Sequence, residues 1–296
     1  MAMLQHLDGE LWRFPDFNDG NRIISSSVRR IQSASVNKGI GIKLVLDGME
    51  HYNIDHKLYD VHANSFLVVN HGSEVICDFD YKSVKNAEGV CYYLEESLIS
   101  EAYQSLTMNE QQLLDQPMED YSMRFIDSIF PLFNNPLNGI FKPMGHPSKW
   151  TKEEVSDHLF DIAKALIVHE RKARGERKAL PAARSTTQKE LYRRLVVAKT
   201  YLHDNLSEPL DMKTVARVAC LSEYHFIRSF RLCFGSSPHQ YLLHLRMTRA
   251  KALLLEGKCS IAEVAQRCGY ADPKYFSKSY KRLFGQNPSA VRASFG

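Results

Sequence analysis

The sequence lacks the patterns that identify several large protein classes. No apolar run approaches the eighteen residues of a membrane span, and the N-terminus has no basic stretch followed by an apolar one, as a signal peptide would. No G-x-S-x-G motif and no glycine-rich phosphate loop occur. These absences favour a cytoplasmic protein without a membrane partner, and they disfavour the common hydrolase and nucleotide-binding enzymes.

Metal-ligand spacings are also missing. The 6 Cys include no C-x-x-C pair, and the 12 His include no His-x-His. We therefore expect no metal and no cofactor, and we interpret the cysteines as reduced, mostly core residues.

Charge is distributed very unevenly along the chain. The formal net charge is +4, but residues 1–150 carry 12 Lys and Arg against 20 Asp and Glu, whereas residues 189–296 carry 18 against 8. A basic segment joined to an acidic one predicts a nucleic-acid-binding domain beside a domain with another role. The alternative is a Lys- and Arg-rich surface that is merely solvated.

The basic segment contains a helix-turn-helix pattern twice. The run 228–235 (RSFRLCFG) matches the run 278–285 (KSYKRLFG), while Val215-Ala216 matches Val264-Ala265 at an offset one residue shorter. A repeat of this length indicates one supersecondary unit used twice. Two such units, held about one DNA turn (roughly 34 Å) apart, could read two successive major-groove segments.

In the first unit, Ser222 is the predicted N-cap of a helix that extends to about Phe234. Its 3.6-residue period turns Phe226, Phe230 and Phe234 inward. The other side carries the candidate base-reading residues Tyr224, Ile227 and Arg228, and the candidate phosphate contact Arg231. Isoleucine suits a thymine methyl group, and arginine suits guanine O6 and N7. Alternatively, Ile227 covers a core edge and Arg228 contacts only phosphate.

In the second unit, Asp272 is the predicted N-cap and Pro273 occupies the first helical position. We expect Phe276, Tyr280, Leu283 and Phe284 to face the core. The outward candidates are Lys274, Ser277 and Lys278 for bases and Lys281 for phosphate. Lysine and serine discriminate bases less well than arginine does, so this helix should contribute more phosphate contact and less selectivity. A long helix from Pro238 to about Leu255 should join the units, and its Arg246 is a further candidate phosphate contact.

These motifs resemble the DNA-binding domain of the AraC/XylS family of bacterial transcription regulators over residues 187–296. The carrying pattern includes Val215-Ala216, Phe230-Arg231, Phe234-Gly235, Leu245-Arg246-Met247, Gly269-Tyr270 and Phe284-Gly285. The resemblance implies seven helices, of which the third and sixth enter the major groove at the six base-reading positions named above. It also implies double-stranded promoter DNA and RNA polymerase as partners, and it favours an activator. Many members have Gln or Arg where this chain has Ile227 and Lys278, so the operator cannot be carried over.

Residues 22–100 have the pattern of short strands separated by turns, which predicts a small antiparallel barrel or sandwich. This part resembles, more weakly, the cupin-like effector domain that precedes the DNA-binding domain in many family members. A small-molecule effector of unknown identity would then bind at the barrel mouth. An effector-free domain used for dimerisation or partner contact is the alternative.

A capping box formed by Thr151 and Glu154 predicts a helix that extends to about Arg171. It resembles the family's dimerisation helix, and Leu159, Ile162 and Leu166 are candidates for the seam of a homodimer. Alternatively, the helix packs on its own barrel. Residues 171–186 are expected to form a linker, and a second capping box, Thr187 to Glu190, is expected to open the basic domain.

The predicted fold is thus α+β with two domains. Residues 1–170 form a cupin-like antiparallel β-barrel with helices, and residues 187–296 form an all-α domain of two helix-turn-helix units joined by a long helix. The predicted function is sequence-specific transcription regulation controlled by a signal sensed in the N-terminal domain. Two alternatives stay open: a cupin-type enzyme fused to a DNA-binding domain, and a nonspecific architectural DNA binder. A DNA-repair methyltransferase is disfavoured because the six cysteines are dispersed.

Overall fold

The computed structural model describes residues 3–11, 20–80, 87–108, 123–126, 128–132, 135–141, 150–181 and 185–293. The chain divides into two compact units, Met1–Gly175 and Glu176–Gly296. The first is rich in β-strands and the second is helical, as the α+β, two-domain prediction requires. None of the described helices is both long and apolar enough to cross a membrane.

The described part of the first unit consists mainly of strands, together with two helices. The strands are β1 (Met3–Leu11), β2 (Arg22–Val36), β3 (Ile40–Asp47), β4 (Met49–Ile54), β5 (Lys57–His62), β6 (Ser65–Val69), β7 (Glu74–Asp80), β8 (Ala87–Leu94) and β9 (Ile129–Pro131). Helix α1 (Glu96–Thr107) lies between β8 and β9, and α2 (Lys152–Lys178) follows β9.

All described strands join one sheet, in the order β5-β4-β7-β2-β8-β3-β6-β9, with β1 pairing with β2 in addition. The β1–β2 pair is parallel, whereas the other pairs are antiparallel. No ladder joins the end strands β5 and β9 among the described residues. The expected closed, purely antiparallel barrel is therefore not what the described strands form. The long β2 extends the sheet, since residues 22–28 pair with β8 and residues 30–36 pair with β7.

Helix α2 packs on the strands of its own unit through aromatic rings. The His169 ring lies 4.5 Å from the Phe130 ring and 5.6 Å from the Phe66 ring, measured between centroids. Glu170, also buried, accepts a hydrogen bond from the Ile126 backbone N–H at 3.3 Å. These contacts cover one side of β6, which explains why every residue of that strand is buried.

The boundaries of α2 and α3 differ from the sequence prediction. The Thr151 capping box is present, with Glu154 N–H to Thr151 Oγ1 at 3.2 Å. Helix α2, however, continues past Arg171 to Lys178, so much of the expected linker is helical. Gly175 does not interrupt it, because one internal glycine costs only about 1 kcal/mol relative to alanine. Helix α3 begins at Ser185, so Thr187 lies in its first turn and is not its N-cap.

The described part of the second unit contains seven helices, the number that the family resemblance implies. They are α3 (Ser185–Asp204), α4 (Met212–Val218), α5 (Glu223–Phe234), α6 (Pro238–Glu256), α7 (Ile261–Arg267), α8 (Pro273–Phe284) and α9 (Pro288–Ala293). Helix α6 joins the two helix-turn-helix pairs, α4–α5 and α7–α8. It begins at a capping box of Ser237 and Gln240 and ends at Gly257, whose φ of 69° suits a left-handed C-cap.

Helix α6 contributes to the cores of both pairs. On the first, the Tyr241 ring lies 5.6 Å from the Phe230 ring. On the second, α6 shares one buried cluster with α7 and α8, made up of Met247, Ala250, Leu254, Val264, Ala265, Phe276 and Tyr280 among others. A single rigid element therefore supports both helix-turn-helix units, as the sequence predicted.

Candidate nucleic-acid interface

The first helix-turn-helix is built by local hydrogen bonds that its sequence specifies. Asp211 caps α4 by accepting from the Thr214 backbone N–H at 3.0 Å. Ser222 caps α5 by accepting from the His225 N–H at 3.4 Å. Between them Cys220 adopts φ 52°, a left-handed conformation that turns the chain. Its thiol is free and exposed, in contrast to the expected core position.

Helix α5 presents its candidate reading residues on the surface. Phe226 and Phe230 are fully buried, and their ring centroids lie 5.5 Å apart. On the other side Arg228 is exposed, and Tyr224 is 76% exposed. Ile227 is half-buried at the edge between the two faces. The helix therefore offers a large aromatic side chain and a guanidinium to solvent, with one aliphatic group beside them.

The second helix-turn-helix repeats this construction. Ser260 and Glu263 form a capping box, in which the Ser260 backbone N–H donates to Glu263 Oε2 at 2.7 Å. Asp272 caps α8 by accepting from the Lys274 N–H at 2.8 Å, and Pro273 takes the first helical position. The turn between α7 and α8 is made by Gly269, with φ 74°.

The buried and exposed positions of α8 match those of α5 nearly residue for residue. Phe276 and Tyr280 are fully buried in place of Phe226 and Phe230, and a buried serine precedes each second ring. Lys274 and Lys278 are exposed, and Ser277 is half-buried, in place of Tyr224, Arg228 and Ile227. The Ser277 hydroxyl donates to the Pro273 carbonyl of its own helix at 2.9 Å. Leu283, expected in the core, is 40% exposed because it lies on the solvent side of the last turn.

The two helices differ in charge. Helix α8 carries Lys274, Lys278, Lys281 and Arg282 and no acidic residue, whereas α5 carries two arginines together with Glu223. The expected phosphate contacts Arg231 and Lys281 are both exposed at corresponding positions near the ends of these helices. Helix α8 therefore has the stronger positive potential for a polyanion.

Arg246, the third expected phosphate contact, lies in a different setting. It is half-buried, and its guanidinium donates to the backbone carbonyls of Leu206 and Glu208 at 2.8 and 2.7 Å. Burial also lowers the pKa of this guanidinium from its usual value. These contacts hold the side chain against the protein.

The candidate dimer residues are not at the surface. Leu159, Ile162 and Leu166 are all fully buried within the first unit. This packing corresponds to the alternative in which the helix covers its own domain, so these three side chains offer no area to a second chain. On the same helix, Val168 is 42% exposed.

A buried polar cluster in the first unit was not found from the sequence. Lys43 on β3 is 5% exposed, and its ammonium hydrogen-bonds to the Tyr93 hydroxyl and lies 4.3 Å from the centre of that ring. Cys91 is its cross-strand partner in the register of β3 and β8. Burial lowers the pKa of Lys43, but the neighbouring Cys91 and Tyr93 outweigh that effect and hold the pKa above its usual value.

Glu50 completes this cluster. It is 4% exposed and accepts a hydrogen bond from the Tyr52 hydroxyl. Burial raises the pKa of its carboxyl group. A Cβ on residue 89 would lie only 2.6 Å from Glu50 Oε1. Glycine at position 89 therefore leaves the space that the carboxyl group occupies. A lysine inside a strand, without a motif around it, gives no sequence signal for such a cluster.

Comparison with known proteins agrees with the construction of the second unit. A family model described as a helix-turn-helix domain matches residues 215–294. A solved structure of the DNA-binding domain of AdpA, a global transcriptional factor in complex with a target DNA, is 35% identical over 34% of this chain and 91% of that chain, with a TM-score of 0.33.

Curated relatives are similar over about a third to a half of the chain. The activator RhaS of Enterobacter sp. (strain 638) is 33% identical over 99 residues, which are 33% of this chain and 36% of RhaS. The regulator ArgR of Pseudomonas aeruginosa is 29% identical over 140 residues, which are 46% of this chain and 42% of ArgR. The chain thus spans less than half the length of these relatives. Through its C-terminal helix-turn-helix domain, this chain belongs to the AraC/XylS family of transcription regulators.

Proposed function

We propose that this protein is a sequence-specific transcription regulator that binds promoter DNA in the cytoplasm, reads two successive major-groove segments and activates transcription. Helix α5 reads bases through Tyr224, Ile227 and Arg228, and α8 docks mainly on phosphates. The observation that carries the proposal is the matched exposure of these two helices. Each turns its aromatic side inward and leaves the candidate contacts accessible.

The division of labour between the helices follows from their side chains. Arginine can donate two parallel hydrogen bonds to guanine, and an aliphatic group can contact a thymine methyl. Lysine is a point charge with freely rotating donors, which suits phosphate oxygens. With four cations and no acidic residue, α8 supplies sequence-independent attraction, while α5 supplies most of the selectivity.

The decisive experiment is selection of bound fragments from sheared genomic DNA by the purified full chain at near-physiological salt. It compares the wild type with Arg228→Ala and Lys281→Ala, and it includes Arg292→Ala as a matched control, since that exposed arginine lies on α9. We expect one recurring motif of about two major-groove turns. Arg228→Ala should cost about 1–3 kcal/mol on that motif and relax selectivity at one position.

Lys281→Ala should weaken binding to all sequences similarly, and Arg292→Ala should change little. Equal losses on cognate and random DNA for Arg228→Ala would remove this residue from base reading. Recovery of fragments without any motif would favour the nonspecific architectural alternative.

We propose that the first unit senses a signal. That signal then changes how the second unit engages its DNA half-sites, or how the protein contacts RNA polymerase. The buried Lys43 supports this role, because an ammonium group inside a sheet domain is costly unless anionic or polar groups surround it. We propose that the effector carries a negative charge, such as a carboxylate, that binds near this ammonium. We also propose a homodimer, formed through surface other than Leu159, Ile162 and Leu166, and sedimentation of the full chain would test it.

A further inference from the structure

The loop between α3 and α4 is held against the turn of the second helix-turn-helix. This loop, residues 205–211, belongs to the first pair because it leads directly into α4. The Ser207 hydroxyl donates to the Arg267 carbonyl at the end of α7, at 2.8 Å. The first and second pairs therefore meet directly, in addition to their connection through α6.

Arg246 lies at the centre of this junction. It projects from α6, and its Nε and Nη2 atoms donate to the carbonyls of Leu206 and Glu208 on the first side. On the second side, its guanidinium carbon lies 5.6 Å from the centre of the Tyr270 ring. One planar cation thus contacts the linking helix, the loop before α4 and the turn before α8.

The backbone at this turn leaves no room for a side chain on residue 269. A Cβ on Gly269 would lie 2.7 Å from Arg246 Nη2 and 2.7 Å from the Leu206 carbonyl oxygen. The guanidinium, the loop and the turn are therefore in close contact around a residue without a side chain. Charge-assisted hydrogen bonds with fixed directions resist sliding better than apolar contacts do.

We propose that Arg246 is a positioning residue that fixes the distance and angle between the two helix-turn-helix units, so that α5 and α8 engage DNA only at one half-site spacing. The proposal rests on the proposed two-segment reading. It assigns Arg246 a role inside the protein in place of the phosphate contact expected from the sequence. Binding of the second half-site is then nearly intramolecular, and its gain depends on correct geometry.

The test uses the full chain and the motif recovered by wild-type selection. Binding is measured on that motif, on versions with one or two base pairs inserted between its halves, on the first half alone and on random DNA. The variants are Arg246→Met, which keeps an unbranched stem without the guanidinium group, and Arg246→Lys, which keeps the charge. Arg249→Met, an exposed arginine on the same helix, is the matched control.

We expect Arg246→Met to lose about 10- to 100-fold in affinity for the intact motif, because the effective concentration of the second unit falls. Its preference for the correct spacing should largely disappear, while its affinity for the first half alone should stay within about twofold of the wild type. Arg249→Met should keep the spacing preference.

Equal weakening of Arg246→Met on every DNA, with the spacing preference intact, would overturn the proposal and favour a phosphate contact. If Arg246→Met fails to fold, as judged by circular dichroism, Arg246→Lys provides the same test. Lysine cannot hold both carbonyls in a planar fork. Failure of the underlying two-segment function is distinguishable, since wild-type protein would then show no spacing preference at all.

Discussion

At the residue scale, several charged groups in the second unit have environments that fix their protonation. His203 on α3 is a clear case. Burial, assisted by the nearby cations Lys199 and Arg249, lowers the pKa of this imidazole to about 4. The folded protein therefore prefers the neutral ring, whereas the unfolded chain takes up a proton near pH 6.5.

This difference predicts a loss of stability in acid. Between pH 6.5 and 4 the unfolded state binds more protons, so the free energy of unfolding falls as the pH falls through that window. At pH 5 the loss attributable to His203 should reach up to about 2 kcal/mol relative to pH 8. Urea unfolding at the two pH values should show it in the wild type and in His225→Gln, an exposed control, but not in His203→Gln. An undiminished pH dependence in His203→Gln would assign the effect to other groups.

At the element scale, two glycines of the second helix-turn-helix, Gly269 before α8 and Gly285 after it, differ in their surroundings. Gly269 and Gly285 both adopt left-handed backbone, with φ of 74° and 75°. A Cβ on Gly285 would meet nothing within 4 Å, whereas one on Gly269 would collide with the Leu206 carbonyl and Arg246. Substituting these two glycines therefore measures the cost of backbone strain alone at Gly285 and of strain plus steric clash at Gly269.

We expect Gly285→Ala to cost about 1 kcal/mol of unfolding free energy, from backbone conformation alone. Gly269→Ala should cost roughly 3 kcal/mol or more, because the clash adds to the same strain and the Leu206 carbonyl cannot move away without losing its hydrogen bond from Arg246. Denaturant unfolding of the full chain measures both. Similar losses of unfolding free energy for the two variants would mean that the loop and Arg246 move aside at little cost.

The sequence predicted helix ends and helix faces correctly where they depend on interactions between residues close together in the chain. The caps at Ser222 and Asp272 depend on residues three or fewer positions away, and the structure confirms both of them. The repeat also placed the inward and outward faces of α5 and α8, with exceptions. Leu283, expected in the core, is 40% exposed, and Ile227 and Ser277, expected outside, are half-buried. Helical periodicity cannot tell whether a neighbouring element covers the last turn.

Interactions between distant segments were not predicted. The parallel pairing of β1 with β2 and the three-residue β9 depend on partners elsewhere in the chain. The Arg246 contacts likewise join residues about forty positions apart. From the sequence alone, an arginine on a basic helix is interpreted as a phosphate contact. Backbone carbonyl acceptors in a distant loop give no sequence pattern that would indicate otherwise.

At the scale of the whole molecule, an acidic N-terminal segment and a basic DNA-binding domain share one chain. If an anionic effector binds near Lys43, its effect on DNA affinity must equal the effect of DNA on its own affinity. This reciprocity makes the proposed sensing measurable without knowing the regulated genes.

We expect at least one member of a panel of small monocarboxylates to raise the melting temperature of the full chain, while its uncharged amide does not. The same compound should change the affinity for the selected DNA motif. Lys43→Met should abolish both effects, and Lys57→Met, which alters an exposed lysine on β5, should retain them. Lys43→Met also leaves the buried Glu50 carboxyl group without its nearby cation, so circular dichroism is used to check that the variant folds. An unchanged response in Lys43→Met would place the effector elsewhere.

If α5 and α8 read DNA as proposed, their unlike exposed faces give the bound protein a direction. A two-fold symmetric reader binds a palindrome equally well in either orientation. One copy of this chain carries an arginine-and-isoleucine face at one end and a lysine face at the other, so a site turned end for end presents each face with the wrong half. Under the proposed two-segment reading, a single bound copy would distinguish upstream from downstream, which is the information that a promoter must give to the enzyme that transcribes it.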